Sequence, residues 1–330
     1  MKLRQIVFWG HFSLGITAGL LILVMALSGM GLAFKSQILE QANHAILTVK
    51  PPVQGVKLGI PDIINLIELQ HPNLTIRSLT VFSDPQKSLK LNYGNKKDLL
   101  YVNPYTGADL GKQSSWAGVF NQIEAIHRWF GVEGALKPVM QQVKAVSTLI
   151  LILMVVSGFY LSWPYKWAAF KAFKTPLQCH KAIGFWMSPF ILVVAFTGMV
   201  MSASEGPPKK PESSKGELKA YALGTLYNTL DQTYPTWVSM TFRVGTPDKA
   251  AVMVEIPGSF KSEKLQLTLD ATTGEIKQTK KQNTWIKGLH TGEVAGLLGE
   301  ILTFLASLAT VMLTGTGFWM AYIRLRRKNA

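Results

Sequence analysis

The chain has 330 residues, of which 48% are hydrophobic and only 16% are charged, a composition that favours a membrane protein over a pair of ordinary soluble domains. Its formal net charge is +15, yet ten of its 34 basic residues, and none of its 19 acidic residues, flank the same ends of four apolar segments. That distribution follows the positive-inside pattern and argues against nucleic-acid binding. The ten residues are Lys2, Arg4, Lys166, Lys171, Lys174, Lys181, Arg324, Arg326, Arg327 and Lys328.

Each of the four apolar segments is long enough to cross a bilayer, which takes about 20 residues. The first has too long a core for a cleaved secretory signal, so we interpret it as a retained membrane helix. The positions of the basic residues place both termini and the loop 166–178 in the cytoplasm, and the two long hydrophilic segments outside it. The apolar segments cover residues 5–34, 145–165, 182–204 and 301–323.

The two hydrophilic segments resemble each other in the order of their predicted elements. Each begins with a helix-like stretch, continues with alternating strand-like runs and closes on a strand and a turn that contains Thr-Gly. The turns are Thr106-Gly107 and Thr273-Gly274, where glycine permits the positive φ of a tight turn. We therefore predict an internally duplicated membrane α-helical protein with four transmembrane helices and two external α+β domains.

The predicted boundaries follow from these segments. In chain order they are helix 1 (1–35), α+β domain 1 (36–120), helix 2 with an external extension (121–165), a cytoplasmic loop (166–178), helix 3 (179–204), α+β domain 2 (205–285), helix 4 (286–323) and a cytoplasmic tail (324–330).

Every predicted membrane helix carries a Ser/Thr-Gly pair near one end. Small residues at such positions allow helices to approach closely, so the pairs predict tight packing. They are Ser28-Gly29, Ser157-Gly158, Thr197-Gly198 and Thr314-Gly315, the last echoed by Thr316-Gly317.

Four of the six histidines stand at the predicted starts of the membrane helices. His11 and His180 follow the basic flanks closely, so we expect both near the cytoplasmic face, whereas His127 and His290 belong to the external face. His44 and His71 lie in the external segments and are interpreted as surface residues. Glycine follows each of the four histidines closely and clears space for a wide ligand beside the imidazole: Gly15, Gly131, Gly184, Gly292 and Gly296.

Histidine inside a membrane span usually marks an ion path, a proton relay or a cofactor. One pair at each face suggests two metal centres, and haem fits best because its iron takes axial imidazoles from facing helices. Zinc or copper fits less well, since two histidines supply too few ligands and no Cys or carboxylate stands at metal spacing inside the spans.

These spans, the turn Val-Asn-Pro-Tyr-Thr-Gly (102–107) and the repeat order resemble the PepSY-associated transmembrane family, which includes inner-membrane siderophore reductases of the type used in ferrioxamine uptake. The resemblance covers nearly the whole chain. It implies two periplasmic PepSY-like domains and two non-covalent haem b groups, with His11, His180, His127 and His290 as axial ligands. It further implies a bacterial inner-membrane oxidoreductase that takes electrons from a cytoplasmic donor and reduces ferric siderophores in the periplasm, releasing Fe(II).

Two other classes of function remain open at this point. The external domains could bind or regulate a periplasmic protein with the spans as anchors, or the histidines could relay protons in a transporter. Transport is disfavoured because the remaining charged residues avoid the apolar cores. Substrate or haem-propionate contacts are predicted for Glu124, Arg128 and Glu293, although solvated or helix-pairing roles would also explain them. Trp116, Trp129 and Trp285 could contact a chelate or line the electron path, but an aromatic belt explains them more simply.

Overall fold

The computed structural model divides the chain into two compact units. A helical unit comprises Met1–Lys35, Gly118–Pro207 and Trp285–Ala330, and a sheet unit comprises Ser36–Ala117 and Pro208–Thr284. The structure describes residues 2–53, 55–93, 98–163, 174–204, 220–243, 249–258, 262–270, 276–282 and 285–328.

The described residues contain ten α-helices and eight β-strands. The helices are α1 (Leu3–Leu32), α2 (Lys35–Ala42), α3 (His44–Leu47), α4 (Ile60–Gln70), α5 (Trp116–Trp129), α6 (Lys137–Ser162), α7 (Pro176–Ser204), α8 (Ala220–Thr233), α9 (Trp285–Thr291) and α10 (Gly296–Lys328). The strands are β1 (Ile76–Phe82), β2 (Leu89–Tyr93), β3 (Asp98–Val102), β4 (Asp109–Lys112), β5 (Ser239–Arg243), β6 (Lys249–Pro257), β7 (Ser262–Asp270) and β8 (Ile276–Gln282).

The prediction of four membrane helices is confirmed. Four helical stretches are long and apolar enough to cross a bilayer, and they contain α1, α6, α7 and α10. Helix α1 packs against α6 and α10, and α7 packs against the same two helices. Small side chains such as Ala306 and Ala309 are buried where these helices meet, which lets the backbones approach.

The segments predicted to hold the second and fourth membrane helices each contain two helices. Within 121–165 and 286–323, the short helices α5 and α9 precede α6 and α10. The backbone reverses after α5 at Phe130 and Gly131, with φ of 54° and 75°, and after α9 at Gly292, with φ of 83°. Left-handed glycine commonly ends a helix, and the amide of Gly131 closes α5 by donating to the carbonyl of Ala125.

The sheet unit contains one antiparallel sheet of eight strands in the order β4-β3-β2-β1-β5-β6-β7-β8. In each hydrophilic segment a helix, α4 or α8, is followed by strands, as the sequence pattern predicted. A fourth strand, β4 or β8, comes after the turn with which each segment was expected to close. What the pattern did not indicate is that the two segments share a sheet: β1 pairs with β5 in register from Ser78↔Arg243 to Phe82↔Ser239. Alternate strand residues, such as Leu79 on β1, form the core together with apolar residues of the two helices, such as Ile67 on α4 and Leu230 on α8.

The predicted turn at Thr106-Gly107 is confirmed. Gly107 has φ of 71°, and its amide donates to the carbonyl of Asn103. A side chain at this position would also collide with Leu66 on α4. The corresponding turn at 273–274 lies outside the described residues, as does most of the predicted cytoplasmic loop 166–178.

Two histidine pairs as candidate functional sites

Four of the six histidines form two pairs inside the helical unit. The other two lie in the sheet unit: His44 begins α3 and is exposed, and Nε2 of His71 lies 3.0 Å from a carboxylate oxygen of Asp109. We call His11 with His180 the first pair and His127 with His290 the second pair.

The first pair joins α1 to α7. The centres of the His11 and His180 rings lie 6.3 Å apart, with an angle of 90° between the ring planes. Nδ1 of His11 lies 2.9 Å from the hydroxyl oxygen of Ser157 on α6. Nδ1 of His180 lies 2.9 Å from the hydroxyl oxygen of Thr316 on α10. All four membrane helices therefore contribute to this pair.

The second pair joins α5 to α9. Its ring centres lie 6.2 Å apart, with an angle of 48° between the planes. Nδ1 of His127 lies 3.1 Å from the hydroxyl oxygen of Ser28 on α1, and Nδ1 of His290 lies 3.3 Å from that of Thr197 on α7. Because α5 and α9 fold back, both imidazoles reach membrane helices.

The Ser/Thr-Gly pairs of the sequence are the contact points for the four imidazoles. The hydroxyl group bonds the imidazole, and the following glycine leaves room for the ring. If each glycine carried a Cβ atom, that atom would lie close to Cε1 of the neighbouring histidine. The distances would be 3.2 Å from Gly158 to His11, 3.2 Å from Gly29 to His127, 2.9 Å from Gly198 to His290 and 3.8 Å from Gly317 to His180.

In the fourth membrane helix the contact is made by Thr316-Gly317. The sequence placed the main pair at Thr314-Gly315, two residues earlier, but a Cβ on Gly315 would meet nothing within 4 Å, and the Thr314 hydroxyl donates to the carbonyl of Thr310. Residues two apart in a helix point in nearly opposite directions, so only one of the two threonines can face His180.

The two pairs are separated along the helices that carry them. His11 and Ser28 are 17 residues apart on α1, as are His180 and Thr197 on α7. At 1.5 Å per residue this is about 25 Å, so α1 and α7 each connect the first pair to the second.

The hydrogen bonds assign the same tautomer to all four imidazoles. In the second pair, Nδ1 of His127 also lies 3.0 Å from the carbonyl oxygen of Met25. Nδ1 of His290 lies 2.9 Å from the carbonyl oxygen of Val194. A carbonyl only accepts, so Nδ1 carries the hydrogen, and the lone pair of a neutral imidazole is on Nε2.

In the first pair the hydroxyl groups lead to the same assignment. Ser157 donates its hydrogen to the carbonyl of Met154 at 3.0 Å, and Thr316 donates to that of Met312 at 2.7 Å. Each hydroxyl oxygen is then left to accept from Nδ1, so Nε2 again keeps its lone pair. Such an outer hydrogen bond fixes both the tautomer and the ring orientation of a metal-binding histidine.

The ring separations match two imidazoles that bind one metal ion from opposite sides. A metal–imidazole bond is about 2 Å and a ring nitrogen lies about 1 Å from its ring centre, so two such rings have centres about 6 Å apart. Among the described residues, no three or more His, Cys, Asp or Glu side chains form a metal-binding group.

A cavity of about 1120 Å³ surrounds the first pair. Its wall is largely apolar and includes Gly15 and Gly184, which follow the two histidines by one helical turn; a Cβ on Gly15 would lie 3.2 Å from Met154. No Asp or Glu of the described chain lines it. Basic residues do, at the end of the bundle where α1 begins and α10 ends: Lys2, Arg4, Lys181, Arg324 and Arg327.

The predicted polar contacts near the second pair have protein partners. A carboxylate oxygen of Glu124 accepts from Lys35 at 2.8 Å, and the other accepts from Arg128 at 3.2 Å. Burial raises the pKa of Glu124, but the hydrogen bonds and charges of Lys35 and Arg128 outweigh it and lower the pKa below its usual value. Glu293 is half-buried and begins the short turn between α9 and α10.

The three tryptophans are at least partly accessible. Trp129 donates to a carboxylate oxygen of Glu133 at 3.1 Å, and the Lys137 ammonium lies 3.7 Å from the centre of its ring. Trp116 and Trp285 are exposed. These contacts agree with an interfacial role for Trp129.

Two buried charged residues were missed by the sequence analysis. Lys144 on α6 is 8% exposed and Glu300 on α10 is 5% exposed. Each immediately precedes an apolar window, so each was read as the edge of a span. Both lie one residue outside the apolar windows, so they do not contradict the interpretation that charged side chains avoid the apolar cores, and their place next to the windows is the signal that could have found them.

We predict that Gly198→Ala lowers the thermal unfolding temperature, because its new Cβ would lie 2.9 Å from His290. Crowding of this kind costs about 1–3 kcal/mol, more than the roughly 1 kcal/mol that alanine gains over glycine in a helix. Gly315→Ala is the matched control, since its Cβ meets nothing within 4 Å, and its unfolding temperature should not fall. Equal effects of the two substitutions would contradict the assigned role of Gly198.

Comparison with known families gives one match. The sequence profile of the family described as the PepSY-associated TM region matches residues 8–324. No curated protein matches the chain. The match includes both histidine pairs and both units.

Proposed function

The chain belongs to the PepSY-associated transmembrane family, and from this premise we propose that it is a di-haem b-type cytochrome of the bacterial inner membrane that reduces ferric siderophores in the periplasm. The observation that carries the proposal is the geometry of the two pairs. Each presents two imidazoles about 6 Å apart, held at Nδ1 and with Nε2 left to bind, so the two histidines of a pair would hold one haem iron between them.

The surroundings of the first pair fit haem in particular. Haem is a wide apolar plate with two carboxylates at one edge. The cavity offers a largely apolar wall at both histidines and five basic side chains at one end, where propionates would find cations. When bound, haem supplies a one-electron couple, and the chain sets its environment through ligands and burial.

The chain's own residues provide orientation and a path. Ser157 and Thr316 hold the imidazoles of the first pair, and Ser28 and Thr197 hold those of the second. The two pairs use matching contacts from corresponding helices, which supports an internal duplication. Helices α1 and α7 connect the pairs through the membrane interior, from the basic end of the bundle to the opposite end.

Reduction of the chelated metal explains how iron is released. One electron converts ferric iron to ferrous iron, and Fe(II) binds hard oxygen ligands less tightly than Fe(III), so an oxygen-based chelator loses affinity. With haem bound at both pairs, a cytoplasmic donor would supply the electron at the first pair and the second pair would stand on the side of the chelate. We assign docking of the chelate to the periplasmic side, where the positive-inside pattern places the sheet unit.

The proposal is tested by absorption spectroscopy of the purified protein. A reduced-minus-oxidised spectrum of bis-imidazole haem and two haems per chain are expected. A colourless protein would instead favour the alternative, a membrane-anchored module that binds or regulates a periplasmic partner without catalysis.

Sidedness has its own test, with a membrane-impermeant thiol label. In a Cys179→Ser background, Val53→Cys in the sheet unit should be labelled in intact cells, since Val53 is fully exposed. Leu325→Cys, near the end of α10, should be labelled only after the membrane is opened. Labelling of Leu325→Cys in intact cells would overturn the topology.

A further inference from the structure

The two histidine pairs agree in ring separation but differ in the angle between their ring planes. The ring centres lie 6.3 Å apart in the first pair and 6.2 Å apart in the second, whereas the planes meet at 90° in the first pair and at 48° in the second. Both pairs are otherwise alike, with Nδ1 of every imidazole next to a hydroxyl oxygen. The orientation of the rings is therefore a property in which the two sites differ.

The hydroxyl groups fix the ring planes of the first pair. An imidazole turns about the bond that joins it to Cβ, and a hydrogen bond at Nδ1 stops this rotation because the nitrogen would leave its acceptor. The acceptors are the hydroxyl of Ser157 for His11 and that of Thr316 for His180, each at 2.9 Å. Both hydroxyl groups donate to a carbonyl of their own helix, so each ring is connected to a helix backbone by two hydrogen bonds in series.

The two hydroxyl groups of the first pair lie on different helices. Ser157 is on α6 and Thr316 is on α10, and each of these helices packs against both α1 and α7, which carry the histidines. Each ring is therefore oriented by a separate contact, and the right angle between the rings requires both. The second pair takes its hydroxyl groups from α1 and α7 instead, and its two Nδ1 atoms also contact the backbone carbonyls of Met25 and Val194. That different set of contacts accompanies the smaller angle.

The angle between two axial imidazoles affects the electronic structure of a ferric haem. Low-spin ferric iron has an unpaired electron in orbitals that overlap with the π electrons of the imidazoles, and each ring raises the energy of one of these orbitals. Perpendicular rings act on different orbitals to a similar extent, so the two orbitals stay close in energy. Rings that approach a common plane act on the same orbital and separate the energies. Contacts that orient the ligands thereby tune the haem.

We propose that Ser157 and Thr316 are positioning residues that hold the imidazoles of the first pair at right angles, so that a haem bound there is electronically different from a haem at the second pair. This inference rests on the proposed function. The electron paramagnetic resonance (EPR) spectrum of the first ferric haem is then strongly anisotropic, with a single resolved line at low field, and that of the second haem is closer to a rhombic three-line form. Separated orbital energies also stabilise the ferric form, so ring orientation favours the second haem as the reductant of the chelate.

The test is the EPR spectrum of the oxidised, purified holoprotein at low temperature. Wild type should show both signals, of which His11→Ala removes the strongly anisotropic one and His127→Ala removes the other. In Ser157→Ala and in Thr316→Ala one ring loses its acceptor and turns, so the low-field line should shift toward the rhombic form while the signal of the second haem stays in place. Thr316→Ser keeps the hydroxyl group and should keep the wild-type spectrum.

Ser188→Ala is the matched control for the loss of a hydroxyl group. Ser188 is also buried on a membrane helix, α7, but the bond described for its hydroxyl is to the carbonyl of Phe185 on the same helix. This variant should shift neither signal.

The outcomes separate the inference from the proposed function. A wild-type protein without haem would overturn the function. Two bound haems with the same type of signal, or a low-field line that is unchanged in both Ser157→Ala and Thr316→Ala, would overturn the inference alone. Loss of the first haem from both variants would also overturn it, because the hydroxyl groups would then be needed for binding rather than for orientation. If one variant does not fold, the other decides, since each ring is held by its own hydroxyl group.

Discussion

Replacing either His11 or His180 with alanine is expected to reduce bound haem from two groups per chain to one, and both substitutions should remove the same haem. The two imidazoles face one site with ring centres 6.3 Å apart, so under the proposed function either substitution would leave a haem iron there with one ligand from the chain instead of two. His127 and His290 lie about 25 Å away along the helices, so their haem should stay bound. The measurement is the ratio of haem to protein together with the reduced-minus-oxidised spectrum.

His71→Ala is the control for the first prediction. His71 also contacts a polar side chain, the carboxylate of Asp109, but it lies in the sheet unit. Its variant should keep two haems. If His11→Ala and His180→Ala removed different haems, the pairing would be wrong even though both histidines bound iron.

The membrane helices could be predicted because their signal is local. A span needs about 20 consecutive apolar residues, and that requirement can be read without knowing any neighbour. The ends of the second and fourth helices could not be read in the same way. Gly131 and Gly292 were interpreted as making space beside a histidine, whereas their positive φ, which depends on how the chain folds back, ends α5 and α9.

The shared sheet illustrates a second limit. Alternating residues predict a strand and the face that it buries, but not which strand lies beside it. Thr80 on β1 and Thr241 on β5 bond to each other at 3.0 Å although they are 161 residues apart. That pairing depends on the two segments meeting in space.

The residues of the candidate site could be predicted from the sequence, but the contacts between them could not. The four histidines and the Ser/Thr-Gly pairs were identified, and the sequence also contains the equal spacing from histidine to hydroxyl residue on α1 and α7. The sequence did not indicate which hydroxyl residue contacts which histidine, because Ser28 contacts His127, which is 99 residues later in the chain. In the folded protein the spacing from histidine to hydroxyl residue on α1 and α7 gives the distance between the two pairs. The glycines of the Ser/Thr-Gly pairs make room for imidazole rings rather than for helix packing alone.

Substituting His127 or His290 with alanine is expected to stop electron transfer to a ferric siderophore while the haem at the first pair is still reduced chemically. The second pair lies at the end of the bundle away from the basic residues, so in the proposed topology it is the last centre before the chelate. Chemically reduced wild-type protein, mixed with ferric siderophore under strict exclusion of oxygen, should reoxidise and yield Fe(II) that a ferrous chelator traps.

In either variant the first haem should remain reduced and trapped Fe(II) should fall to the rate without protein, because about 25 Å of helix then separates the remaining iron from the far end of the bundle. Thr291→Ala is the control, since its hydroxyl bonds only its own helix at the carbonyl of Lys287, among the contacts described, and transfer should continue. Unchanged Fe(II) production by His127→Ala or His290→Ala would place the exit for electrons elsewhere. If wild-type reduced haems were left untouched by a broad panel of ferric chelates, siderophore reduction would be abandoned, and the two histidine pairs would define a cytochrome with another acceptor.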